Sequence, residues 1–326
     1  MSQREIYIGI IGAGSIGSLI GACLASLKSK KYSPNVVFFV KESQFNVFKN
    51  DGLHLLKADS EILLKNLDVF MSIEGFKEKK TWSFDFLFLT TKAYDIEVTM
   101  IQYKELIDDC KYLVILQNGI GNEEVAIKYC KKDKIIRGVT TNGALVEKPG
   151  RVKHTGIGIT KIGFPFYDEN LSNNARIFLE LLKDLLNDAG LETIIVDDII
   201  RECWEKIFVN IGINAIGALT RLKNGELLEF KGIKSLMAGA IKEALIVADK
   251  KNIILTKKDY VALTFNVAEK TYQNKNSMLQ DILKGKKTEI EFINAKIVEY
   301  SKELNIEVPI NKILTTLIKG LEQGKN

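Results

Sequence analysis

The sequence predicts an α/β chain in two parts: an N-terminal parallel sheet with helices on both faces, followed by an all-α C-terminal domain. Three observations predict it. Over the first two hundred residues, β-like runs rich in Val, Ile and Phe alternate with runs of helical period. After Val196 the texture changes to long helical segments with little β-branched alternation. At 326 residues the chain also exceeds what one hydrophobic core usually serves, so two domains are expected, 1–196 and 197–326.

Taken in order, the strands are IYIGII (6–11), NVVFFV (35–40), FDFLFLT (84–90), YLVIL (112–116) and LETIIV (191–196). The helical runs GSLIGACLASLK, EEVAIKYC and ARIFLELLKDLLNDAG lie between them. Two stretches read as hairpins rather than crossovers: GLHLLKADSEILLKNLDVFMS, and VTTNGALVEKPGRVKHTGIGITKIG with turns at Glu147–Gly150 and around Gly156. Beyond Val196, Asp197 or Asp198 is placed to cap a helix holding Trp204 and Lys206. Further helices are expected over Ile233–Lys251, Lys257–Gln273, Ser277–Lys284, Glu289–Asn305 and Asn311–Gln323, with Ser277 capping the third of these.

Composition excludes several classes. Hydrophobic residues make up 46% and charged residues 27%, an ordinary globular balance. The N-terminus lacks a secretory cleavage pattern, and no apolar run reaches the ~20 residues of a membrane span, so no membrane association and a cytoplasmic location are expected. Cys23, Cys110, Cys130 and Cys203 form no CxxC pair, and only His54 and His154 could add imidazoles; neither disulfides nor a metal site is expected. The net charge of +5 comes from 46 basic residues against 41 acidic ones, and the Lys clusters lack interleaved aromatics, so nucleic acid is not an expected partner. The amphipathic C-terminal helices can pack on their own domain or on a second copy of the chain, which leaves a homodimer open.

Directly after the first strand stands Gly12-Ala13-Gly14-Ser15-Ile16-Gly17, a GxGxxG with a strand before and a helix after. The first glycine makes the turn, the second lets a pyrophosphate approach the backbone, and the third lets helix and strand pack closely. The helix N-terminus then offers unpaired N–H groups to the phosphates. A dinucleotide cofactor follows. NAD or NADP is decided beyond the second strand, where Lys41 precedes Glu42. If Lys41 faces the ribose, its ammonium pairs with a 2′-phosphate; one residue off, Glu42 takes that place and favours NAD. We favour NADP. Lys92 and Gln117-Asn118-Gly119 end two further strands and point toward the same cofactor, though each alone reads as an ordinary strand end.

The stretch KIFVNIGIN is apolar except for Lys206, Asn210 and Asn214, spaced to fall on one helical face. A snorkelling lysine with amides satisfying one another is one account. A polar groove facing substrate is the other, and it satisfies all three groups at once. An ammonium there can protonate the oxygen of a ketone as hydride reaches its carbon. Asn side chains at the next two turns suit a carboxylate or hydroxyl. Thr288 with Glu291 reads as a capping box, which puts Glu289 in a first helical turn, where it is either a dipole partner or a site acid.

In order along the chain, GxGxxG, TKA after the third strand, QNGIGNEE (117–124), GVTTNGALVEKPGRVKHTG (138–156), WEKIFVNIGINAIGALT (204–220), NGE (224–226), SMLQDILKGKKTEIEFIN (277–294) and a late VP (308–309) resemble the ketopantoate reductase (2-dehydropantoate 2-reductase) family. The resemblance implies a Rossmann domain followed by a helical domain, with NADPH reducing ketopantoate to pantoate for pantothenate and coenzyme A biosynthesis. Matched position by position, it implies Lys206 as general acid and Glu289 as the acid where cofactor and substrate meet. It implies Asn118, Asn210, Asn214, Asn224, Asn274 and Ser277 as substrate contacts. Lys92, Asn118, Ala144 and Glu289 match cofactor contacts, beside the glycine loop and Lys41. Where the family often has Arg, this chain has Lys41, which keeps the charge but loses the bidentate fork. The alternatives are a reductase for a different 2-oxo acid, or a non-catalytic NADP-binding sensor.

Overall fold

A computed structural model of the chain describes residues 3–166 and 173–324. These form two compact units: one runs up to Gln117 and resumes over Asn122–Ile199, and the other holds Asn118–Gly121 and the described residues from Ile200 onward.

In the first unit, β1 (Arg4–Ile11), α1 (Ser15–Ala25), β2 (Tyr32–Phe39) and α2 (Glu42–Asn50) make the opening βαβα. Next come β3 (Leu53–Leu56), β4 (Glu61–Leu64), β5 (Asp68–Phe70) and α3 (Ile73–Lys77). The chain continues through β6 (Phe86–Leu89), α4 (Ile96–Gln102), α5 (Lys104–Asp109), β7 (Tyr112–Ile115) and α6 (Asn122–Ala126). It closes with β8 (Ile135–Thr140), β9 (Gly143–Lys148), β10 (Arg151–Gly156), β11 (Thr160–Gly163), α7 (Asn173–Asp188) and β12 (Thr193–Ile195). The main sheet has the order β12-β11-β8-β7-β6-β1-β2-β5. All its pairs are parallel except β8 with β11. Every residue of the central strands FLFL and YLVI is buried, as expected where both faces of a parallel sheet are covered.

The two sequence hairpins exist as β3–β4 and β9–β10, but they do more than turn back. Strand β10 pairs in parallel with β3, which joins them into a separate four-stranded sheet, β4-β3-β10-β9, packed against α1. Strand β5, read as part of the first hairpin, instead joins the main sheet beside β2. Pairing between segments this far apart in sequence leaves no local signal. The run EEVAIKYC is helical only through Ala126.

The second unit is helical: α8 (Ile199–Thr220), α9 (Lys231–Lys250), α10 (Tyr260–Lys270), α11 (Ser277–Leu283), α12 (Asn294–Glu303) and α13 (Pro309–Gln323). Four expectations are corrected. Asn276, not Ser277, caps α11, its side chain accepting from the Leu279 N–H; Ser277 is already helical. Thr288 and Glu291 form no capping box. The Thr288 hydroxyl accepts from Ile290 N, Glu322 accepts from Thr288 N, and Glu291 pairs with Lys319 instead. The helix expected over Glu289–Asn305 is broken at Ile293 (φ −116°, ψ −101°), which separates a 3₁₀ turn, Ile290–Phe292, from α12. The break serves a tertiary contact described below, so the helical period of the sequence does not reveal it. Helix α10 is shorter than expected because Asp259 caps it, accepting from Val261 and Ala262 N–H.

Candidate active site

In the first unit the glycine loop is built by backbone geometry. Gly12 sits at φ +96°, and a Cβ there would press on the Thr91 N–H at 2.9 Å, so only glycine fits. A Cβ on Gly17 would overlap the Gly12 carbonyl and the Thr90 hydroxyl, which itself donates to the Gly12 carbonyl at 2.7 Å. Gly14 is different. A Cβ there would meet nothing within 4 Å, and φ −78°, ψ −161° is open to any residue. The protein has no internal need for this glycine; an external group approaching the backbone supplies one, and α1 begins there with no side-chain cap. The residues present therefore fit a pyrophosphate.

The register Ile11↔Phe39 makes the glycine turn and the segment Val40–Lys41 leave the sheet side by side. Lys41 is exposed and immediately precedes α2, while Glu42 is its first residue. Gln44 in that first turn donates to the Ala13 carbonyl at 3.0 Å, fixing α2 to the loop. Lys92 follows Thr90 and Thr91 at the end of β6, half-buried. Ala144 lies on β9 opposite His154, and both it and Ile16 pack on the core of this unit.

In the second unit, α8 carries Lys206, Asn210 and Asn214 on successive turns. The Lys206 ammonium donates to Asn118 Oδ1 at 2.8 Å, and Asn118 Nδ2 donates to Glu289 Oε2 at 3.2 Å. An amine, an amide and an acid from three distant stretches of chain thus form one hydrogen-bonded line. Glu289 is 5% exposed and ends the segment leading into the 3₁₀ turn.

The remaining amides differ in setting. Asn214 is 5% exposed, and among the described residues neither its side chain nor that of Asn210 has a hydrogen-bond partner. Asn224 donates to the Thr271 hydroxyl at 2.9 Å and leaves its own Oδ1 buried without a partner. Its backbone N–H donates to the Asn274 carbonyl, which holds those two residues together. Asn274 and Ser277 are exposed. Asn276 draws their segment onto α8: its amide reaches the Ile213 carbonyl at 3.4 Å and packs where a Cβ on Gly217 would stand. Asn276 was passed over in the sequence because NKNS offers several capping residues and only the fold selects one.

Beside Lys206, Glu205 anchors α8. Burial alone pushes its carboxyl up, but bonds from Lys258, the Thr256 hydroxyl, Tyr260 and the Thr256 N–H outweigh it and bring the pKa down to about 2. Among the described residues no group of acids, His and Cys could hold a metal, and no helix is long and apolar enough to cross a membrane.

A glycine turn that fits a pyrophosphate in one unit, and an ammonium braced by amide and acid in the other, are compatible with a nicotinamide-dependent oxidoreductase. The chain belongs to the ketopantoate reductase family. Residues 8–165 match the family model "Ketopantoate reductase PanE/ApbA", and residues 198–322 match its C-terminal counterpart. The 2-dehydropantoate 2-reductase of Pyrococcus abyssi is 36% identical over 98% of this chain and 99% of its own. That of Archaeoglobus fulgidus is 34% identical over 99% and 100%. Among solved structures, D-mandelate dehydrogenase with NADH and anilino(oxo)acetate superposes with a TM-score of 0.84 at 25% identity, covering 98% of this chain and 100% of that one. The 2-dehydropantoate 2-reductase of Geobacter metallireducens gives 0.84 at 24%, covering 97% and 99%, and shows the shared fold.

Proposed function

We propose that this chain reduces 2-dehydropantoate to pantoate with NADPH, the step that supplies pantoate for pantothenate and coenzyme A biosynthesis. The observation that carries the reading is the line Lys206–Asn118–Glu289. NADPH supplies the hydride to C2. Lys206 gives its proton to the ketone oxygen as negative charge builds there, so the products are the 2-hydroxy acid and NADP. Asn118 holds the ammonium by its carbonyl and is held in turn by the Glu289 carboxylate. The free amides of Asn210 and Asn214 and the orphaned Asn224 Oδ1, with Asn274 and Ser277, bind the carboxylate and hydroxyl of the substrate. Gly12, Ala13, Gly14, Ser15, Ile16 and Gly17 cradle the pyrophosphate, Lys41 meets the 2′-phosphate, and Lys92, Ala144, Asn118 and Glu289 complete the cofactor contacts. In this reading residues 1–196 are the NADP-binding domain and 197–326 the catalytic domain, acting in the cytoplasm.

The test is NADPH oxidation with ketopantoate beside a panel of 2-oxo acids, repeated with NADH. Fast turnover of ketopantoate with NADPH is expected. The fold shared with a D-mandelate dehydrogenase bound to NADH favours one second reading, a reductase for another 2-oxo acid; a higher kcat/KM for such an acid would select it. Cofactor binding without turnover of any acid would leave a non-catalytic sensor. A homodimer through the C-terminal helices is tested by sedimentation.

A further inference from the structure

The turn Asn118–Gly121 follows β7 in the chain, yet it packs with the helical unit. What holds it there is specific. The Ile120 N–H donates to the Phe292 carbonyl at 3.0 Å. Gly119, at φ +89°, lies against Phe292 so closely that a Cβ would overlap its carbonyl oxygen. Gly121, at φ +81°, leaves room for the Lys296 side chain, with the Tyr300 hydroxyl 3.3 Å from where a Cβ would stand.

The contacted residues lead to both partners of Asn118. Phe292 N–H donates to the Glu289 carbonyl, so the turn that receives Ile120 is the one that presents Glu289. Tyr300 stacks on Trp204, with centroids 6.0 Å apart and planes at 22°, and Trp204 is on α8 just before Lys206. Lys296 is 9% exposed with its ammonium 5.1 Å over the Tyr300 ring, and Lys251 lies 3.6 Å over the same ring. The break at Ile293 offsets the 3₁₀ turn from α12, so that Phe292 and the Lys296–Tyr300 pair meet the same short turn.

We propose that Gly119 and Gly121 are positioning residues for the reaction: they seat the turn on Phe292 and on the Lys296–Tyr300 pair, and this seating sets Asn118 between Lys206 and Glu289. A turn needs glycine at a positive φ wherever it occurs. Here both glycines are also close-approach sites, and both approaches are to residues that position a partner of Asn118. The proposal rests on the reading of Lys206 as proton donor.

The experiment is a double-mutant cycle of Gly119→Ala with Asn118→Ala on the full-length chain. Gly119→Ala alone is expected to lower kcat by about tenfold to a hundredfold. In the Asn118→Ala background it should cost less than about twofold more. Hydrogen exchange of the Ile120 amide should accelerate in Gly119→Ala. An equal loss in both backgrounds, or unchanged Ile120 exchange, overturns the proposal. Should Gly119→Ala fail to fold, Tyr300→Leu replaces it in the cycle, and Tyr300→Phe must restore most of kcat because it keeps the ring on Trp204; a Phe variant as poor as Leu counts against the seating. A wild-type chain that turns over no 2-oxo acid sinks the functional reading alone, since Ile120 exchange still decides whether the glycines seat the turn.

Discussion

The glycine loop and the Lys206–Asn118–Glu289 line are built in opposite ways. The loop is one run of six residues, Gly12 to Gly17, and its shape is backbone geometry that neighbours enforce: Gly12 by its positive φ, Gly17 by the Gly12 carbonyl. The line draws single side chains from α8, from the turn after β7 and from the segment before a 3₁₀ turn. A contiguous backbone site should tolerate or fail at each glycine for a separate reason. A dispersed side-chain line should fail as a unit, because each member orients the next.

The largest expected effect breaks the second region and spares the first. Lys206→Ala should lower kcat by roughly 10²- to 10⁴-fold, the range of a lost general acid, with NADPH binding measured by fluorescence nearly unchanged. Unchanged turnover would remove Lys206 from the chemistry.

Next, the glycines should separate from one another. Gly14→Ala should leave the melting temperature within about 1 °C, because nothing in the protein meets the new methyl, yet weaken NADPH by about tenfold or more. Gly17→Ala should instead destabilise by about 1–3 kcal/mol in urea unfolding, since its methyl overlaps protein atoms. Equal effects of the two on stability would erase the distinction drawn between them.

Glu205 sharpens the comparison from the side of α8. Its pKa is depressed to about 2 in the folded chain, so the stability it contributes is present above the usual carboxylate range near 4.5 and is lost as pH falls through about 2. Glu205→Gln should cost about 2 kcal/mol at neutral pH and flatten the acid limb of the stability profile between those values. An acid limb identical to wild type would mean that another carboxylate governs it.

The smallest effect concerns Lys41. Lys41→Ala should reduce the ratio of kcat/KM for NADPH over NADH by about fivefold to tenfold, as expected for one exposed ammonium on a phosphate. No change in that ratio would move the 2′-phosphate contact elsewhere.

Five of the eight strands of the main sheet, β1, β2, β6, β7 and β12, were legible in the sequence, the central ones because burial on both faces writes continuous apolar runs such as FLFL and YLVI. Strands β5, β8 and β11 were not read as its members. The turn of the glycine loop was legible for a related reason: its backbone conformation and close approaches need glycine, and glycine is the residue that reports them. Lys206, Asn210 and Asn214 announced themselves as polar residues at helical spacing in an apolar run. Other features could not be read that way. The union of two hairpins into a second sheet, the departure of β5 to the main sheet, the capping of α11 by Asn276 and the break at Ile293 all depend on partners far along the chain. The sequence by itself determined which residues carry polarity where apolar ones belong and where the backbone must turn. Only the tertiary structure decided that Asn118 lies between Lys206 and Glu289, because that placement depends on Phe292 and Tyr300, whose contacts leave no periodic mark on the chain.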